Sequence, residues 1–212
     1  MICVSVDAER LRDLLAALEG IDFAEVRLER LRPGPEALRE IFGSGARRVA
    51  TMRPGTATDA ERVETLVCAL EHGAAYVDVE LESSAAFSRT VIGAARRFGR
   101  RVIASFHDFA ATPDDARLRR IVDDCFALGA DIAKVACKVV APADGARLLA
   151  LIGGGRPVIP VGMGELGRIT RIAAPLLGSP FTFASRGPGT ESAPGQIDAA
   201  TMRRLLAEIG HA

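Results

Sequence analysis

The sequence predicts an α/β fold, a (β/α)8 TIM barrel, from three observations. Short β-rich runs alternate with amphipathic helical stretches from one end of the chain to the other, and such alternation means a parallel sheet with crossover helices. The count reaches eight of each within 212 residues, near the lower end of the length at which such units close on themselves. The rival, an open doubly wound sheet, would carry a Gly-rich nucleotide turn after its first strand, but that turn is Asp7-Ala8-Glu9. No linker, repeat or low-complexity stretch divides the chain, so one domain over residues 1–212 is expected.

The elements follow in order. Ile2–Val6 reads as a strand, and Ala8–Leu18 as a helix with Leu11, Leu14, Leu15 and Leu18 on one face. Phe23–Glu29 alternates apolar and charged residues, the period of a strand. Pro35–Phe42 is a helix with proline at its start. The strand Arg48–Met52 leads to the helix Asp59–Glu71, Tyr76–Leu81 to Ala85–Phe98, and Arg101–Phe106 to Asp114–Leu128. The last units are Ile132–Ala136 with Pro142–Leu151, Val158–Val161 with Leu166–Leu176, and Phe181–Ala184 with Ala199–Ile209. Ser185–Gln196, rich in Gly, Pro and Ser, is the one long irregular stretch. A loop of that length on a compact fold is usually a lid or binding loop.

Composition narrows the function. Hydrophobic residues make up 49%, enough for a large core, and 27 basic side chains balance 27 acidic ones. That balance argues against nucleic acid or an anionic membrane as the main partner. The four cysteines, Cys3, Cys68, Cys125 and Cys137, show no C-x-x-C spacing, so buried free thiols in a reducing cytoplasm are expected. Met1 leads straight into Ile-Cys-Val-Ser-Val, with no signal-peptide pattern, and no stretch approaches the length of a membrane span.

Lys134 stands out. It lies in Ala130-Asp131-Ile132-Ala133-Lys134-Val135-Ala136, a short strand otherwise mostly apolar or small. Burying an unpaired ammonium is costly, so such a lysine pairs with an acid, snorkels out, or gives up its proton. A neutral amine in a pocket is a nucleophile that can condense with a carbonyl to form a Schiff base. Active sites of such barrels lie at the C-terminal strand ends. There the sequence places Glu25, Arg27 and Glu29 on one side of the second strand, Met52-Arg53 after the third, and Asp78 and Glu80 on the fourth. The fifth ends in His107-Asp108, and the seventh runs into Met163. Such a ring of charge needs a polar ligand or a dense pairing network. His107 is a proton carrier if it neighbours the amine, since histidine titrates in the useful range. His72 and His211 fall at helix ends and read as surface residues, and scattered carboxylates with one site histidine do not make a zinc set. No cofactor or metal is expected.

These residues resemble the type I 3-dehydroquinate dehydratases, the Schiff-base-forming enzymes of the shikimate pathway. The resemblance is carried by Glu25-Val26-Arg27, Thr51-Met52-Arg53, Tyr76-Val77-Asp78-Val79-Glu80 and Ser105-Phe106-His107-Asp108-Phe109. The Lys134 segment, Gly162-Met163-Gly164 with Thr170-Arg171, Gly178-Ser179 with Phe181-Thr182-Phe183, and Ser192-Ala193-Pro194-Gly195-Gln196 complete it. It implies an imine between Lys134 and the ketone of 3-dehydroquinate, with His107 taking the C2 proton and later protonating the leaving hydroxyl. Arg171 would hold the substrate carboxylate, a task suited to its planar fork. Glu25, Arg27 and Arg53 would bind ring hydroxyls, Met163 and Phe183 would wall the ring, and Ser192 and Gln196 would close over it.

Three departures accompany the resemblance. The family commonly follows its strand-three arginine with E-G-G, whose glutamate hydrogen-bonds the catalytic histidine. Here Arg53-Pro54-Gly55-Thr56-Ala57-Thr58 holds no acid before Asp59, so Glu80 first and Asp59 second are the substitute candidates. Thr170 replaces the usual serine, and the N-terminal hairpin of many relatives is expected to be missing. The expected function is therefore 3-dehydroquinate dehydration to 3-dehydroshikimate on a small-molecule substrate, with a homodimer left open. The rivals are a class I aldolase with the same lysine chemistry, and a weak or silent relative that binds a cyclic carboxylic acid.

Overall fold

The computed structural model describes residues 1–55 and 57–210, so Thr56 and His211 lie outside the described residues. The chain forms two compact units. One runs Ser5–Ile103, and the other joins Met1–Val4 to the residues from Ala104 on. The cuts fall inside β1 (Ile2–Asp7) and β5 (Arg101–Asp108), so both units own part of each.

The Ser5–Ile103 unit contains α1 (Leu11–Leu18), β2 (Phe23–Arg27), α2 (Pro35–Phe42), β3 (Arg47–Thr51), α3 (Asp59–Glu71), β4 (Tyr76–Glu80) and α4 (Ala85–Arg97). β2 lies parallel to β3 with Glu25 opposite Val49, and β3 parallel to β4 with Val49 opposite Tyr76. The strands are buried on both faces, as a sheet covered by crossover helices demands. Leu14, Leu38, Ile41, Phe42, Leu66 and Leu70 supply the helix side of this core. Local chemistry fixes the helix starts. Thr58 and Glu61 make a reciprocal capping box on α3, and the Ser84 hydroxyl accepts from Phe87 N–H on α4.

The second unit contains α5 (Asp115–Leu128), β6 (Ile132–Lys138), α6 (Pro142–Leu149), β7 (Val158–Met163), α7 (Arg168–Leu176), β8 (Thr182–Ser185) and α8 (Ala199–Glu208). β6 and β7 are parallel over six residue pairs, from Ala133 opposite Val158 to Lys138 opposite Met163. Gly129 ends α5 at φ 105°, a left-handed geometry that glycine adopts without steric cost. The strands follow the sheet order β7-β6-β5-β4-β3-β2-β1-β8. Every neighbour but β1–β8 is consecutive in the chain, the order expected of the barrel.

Several element boundaries differ from the sequence expectation. α1 begins at Leu11 rather than Ala8, because Glu9 and Asp7 both pair with Arg30. The helix expected over Leu166–Leu176 is split into a 3-10 turn, Glu165–Gly167, and α7. A Cβ at Gly167 would run into the Gly162 backbone, so that approach is open only to glycine. β5, β6 and β7 each run two residues further than their apolar runs suggest, taking in His107, Lys138 and Met163.

Cys3, Cys125 and Cys137 are buried, Cys68 is half-buried, and all four are thiols outside any disulfide. Among the described residues no helix is long and apolar enough to cross a membrane, and no group of three or more His, Cys, Asp or Glu is placed to hold a metal.

Candidate active site

Lys134 sits in the middle of β6 and is 5% exposed. Its ammonium lies 4.4 Å from the ring centre of Phe183 on β8, a cation–π distance. Phe183 in turn meets Phe181 edge-on, with centroids 5.4 Å apart. The amine is thus held against an aromatic wall. His107 falls on β5 rather than after it and is half-buried. Its ring stacks on that of Phe109, with centroids 6.2 Å apart and planes 16° from parallel. The next residue, Asp108, locks the turn that follows: its Oδ1 accepts from Ala110 N–H at 2.9 Å and Ala111 N–H at 3.0 Å. Burial and the Asp108 charge push the Cys137 thiol up to about 12, so it stays a neutral packing group.

Arg171 is 1% exposed in α7, among the largest fully buried side chains described. Thr182 on β8 donates its hydroxyl to the Arg171 carbonyl at 2.8 Å, which fixes the helix on the strand that carries Phe183. The neighbouring Thr170, buried beside it, offers a hydroxyl to two backbone groups. That hydroxyl accepts from Gly162 N–H at 2.7 Å and donates to the Gly167 carbonyl at 2.8 Å. Met163 ends β7 and is buried. From there the loop Ser192–Gln196 is reached directly. Gly164 N–H donates to the Pro194 carbonyl at 3.1 Å, and an Arg171 Nη2 lies 3.5 Å from the same oxygen. Gln196 Oε1 accepts from Ser192 N–H at 2.8 Å, holding the loop as a compact turn. Lys134, His107, Met163, Arg171, Phe183, Ser192 and Gln196 therefore all belong to one unit.

The acidic and basic candidates of β2 to β4 form a second cluster within the Ser5–Ile103 unit. Glu25, 3% exposed, accepts from Ser5 Oγ at 2.8 Å and Thr51 Oγ1 at 3.2 Å. Glu29 falls just past β2, where it accepts from Arg27 Nε at 2.7 Å. Burial alone would lower the Arg27 pKa, but Glu25, Glu29 and Asp78 outweigh it and raise the value. Arg53 is ion-paired with Glu80 at the end of β4. Asp59, at the start of α3, accepts from Arg62 at 2.9 Å and Ser84 at 3.2 Å. Ala57 lines a groove with Arg32, Pro33, Met52 and Glu61.

Ser5, Thr51 and Thr112 were not among the sequence candidates. The first two are hydroxyls on strands, and a hydroxyl opposite a carboxylate on the adjacent strand leaves no local signal. Thr112 precedes Pro113, which keeps it out of the helix, but its partner is a backbone carbonyl that no sequence pattern marks.

A sequence model described as type I 3-dehydroquinase matches residues 2–212. The chain belongs to that family. With it comes the class of chemistry, a hydro-lyase. A 3-dehydroquinate dehydratase of Methanothermobacter thermautotrophicus is 39% identical over 198 residues, covering 90% of this chain and 86% of the relative. The crystal structure of 3-dehydroquinate dehydratase from Geobacillus kaustophilus aligns at TM-score 0.86 with 29% identity, over 98% of this chain and 90% of that one. The Clostridium difficile type I 3-dehydroquinate dehydratase with covalent modified comenic acid aligns at TM-score 0.87 with 24% identity, over 98% and 91%. The fold is accordingly the (β/α)8 barrel.

Proposed function

We propose that this chain dehydrates 3-dehydroquinate to 3-dehydroshikimate through an imine on Lys134, as a single catalytic domain of the shikimate pathway. The observation that supports this most is the buried Lys134 amine against Phe183. The neutral amine adds to the ring ketone, and loss of water gives the imine. The imine draws electrons from the adjacent carbon, so its C2 proton becomes acidic enough for His107 to remove. His107 then returns a proton to the departing hydroxyl, which leaves as water. Water hydrolyses the conjugated imine and restores the lysine. Arg171 takes the carboxylate, Met163 and Phe183 wall the ring, and Ser192 and Gln196 close over it. By the family resemblance Glu25, Arg27 and Arg53 take the ring hydroxyls.

An aldolase reading fits less well, because Arg171 and the Ser192–Gln196 loop suit a ring carboxylate. The test is turnover of 3-dehydroquinate, followed by the absorbance of the conjugated product. The wild-type chain should form product, and Lys134→Ala should lose all measurable turnover. Wild-type silence would remove the dehydratase reading. Residual wild-type-like rates in Lys134→Ala would remove the imine.

A further inference from the structure

Thr112, Asp144 and Arg147 form a network that the proposed chemistry does not use. Thr112 lies in the loop after β5, the strand of His107, and is 7% exposed. Its hydroxyl donates to the carbonyl of Lys138, the last residue of β6, at 2.8 Å. Arg147 Nη2 approaches the Thr112 carbonyl at 3.4 Å and pairs with Asp144. Asp144 Oδ2 accepts from Val140 N–H at 2.8 Å and Ala141 N–H at 2.9 Å, and these bonds and Arg147 hold its carboxyl below its ordinary range. The end of Lys134's strand is thereby held by Thr112 from the loop after His107's strand, and the two residues before α6 are held by Asp144, which Arg147 links back to Thr112.

Both ends of this grip are stiff. Between His107 and Thr112 the Asp108 turn fixes the backbone with two hydrogen bonds. Between Lys134 and Lys138 the chain is paired to β7 residue by residue. The peptide joining Lys138 to Val139 is held on both sides, since its N–H donates to the Met163 carbonyl at 3.1 Å. A shift of Thr112 relative to Lys138 has no soft segment to absorb it before it reaches the histidine and the lysine.

We infer that Thr112, supported by Arg147 and Asp144, is a positioning residue that sets His107 against the imine on Lys134. This rests on the function proposed above. Imine formation needs only the lysine and the ketone, whereas proton removal needs the histidine at hydrogen-bond range. Loss of the clamp therefore acts on the steps after the imine. Misplacement by about 1 Å can cost as much as 10²-fold, so loss of one hydroxyl bond is expected to lower kcat about tenfold.

The experiment compares Thr112→Val, which keeps the shape and removes the hydroxyl, with Thr112→Ser, which keeps the hydroxyl. Arg147→Gln breaks the other arm independently. Each is measured for kcat, KM and borohydride trapping of 3-dehydroquinate on the intact chain. Thr112→Val and Arg147→Gln should lose kcat with KM and trapping near wild type, and Thr112→Ser should recover the rate. Wild-type kcat in both disrupted variants overturns the clamp, as does a loss of trapping in parallel with rate. Failure of the wild-type chain to trap ligand overturns the imine and the clamp with it, so the two failures are told apart.

Discussion

In the proposed mechanism a lysine on a buried strand and a histidine on its neighbour divide the chemistry between them. Lys134, the proposed nucleophile, is buried and lies 4.4 Å from an aromatic face. His107, the proposed proton carrier, sits half-exposed on its strand. Their roles separate under mutation. His107→Ala should still form the imine, since the amine is untouched, yet stall at the proton steps. General acid–base help is worth roughly 10²–10⁴-fold, so kcat should fall within that range. A loss below about tenfold would show that another group carries the proton. Lys134 was legible because a charge in an apolar run is conspicuous. The hydroxyls of Ser5 and Thr51 on Glu25 were not, because hydroxyls are common in strands and their partner is set by the parallel register.

At the level of elements, the loop 185–196 is seated beside the end of β7 by a backbone pair. Gly195 has φ 75°, and a Cβ there would run into the Gly164 carbonyl. The contact that seats the loop, Gly164 N–H to the Pro194 carbonyl, depends on that close approach. Gly195→Ala brings left-handed strain of about 1–2 kcal/mol before any clash, enough to unseat a surface loop. We expect KM for 3-dehydroquinate to rise at least about tenfold, on the scale of 1.4 kcal/mol per decade. Ligand should also no longer protect the loop from proteolysis. Wild-type KM and protection in the variant would mean that the loop takes no part in binding. The Gly- and Pro-rich composition marked the loop, but not its anchor, which lies in a backbone pair. The helix start at Pro35 was readable from its proline. The ends of β5 and β6 were not, because His107, Asp108 and Lys138 break the apolar run that marks a strand, and at β7 Gly162 does the same.

Taken whole, the chain repeats one unit eight times, and that regularity made the fold readable. Each strand is short and apolar, each helix is amphipathic, and the order of strands follows the order of the chain. Its division into two compact units was not foreseen, because the cuts pass through β1 and β5 and leave no break in composition. The residues assigned to the imine, its proton and the carboxylate all fall in one of these units. The claim that joins them is that Lys134 bonds covalently to the substrate. It is tested by incubating the whole protein with 3-dehydroquinate and borohydride, then weighing the intact chain and its peptides. One reduced ligand should be added per chain, on the peptide that contains Lys134, and Lys134→Ala should gain none. Label on any other residue, or label that persists in Lys134→Ala, would contradict the account.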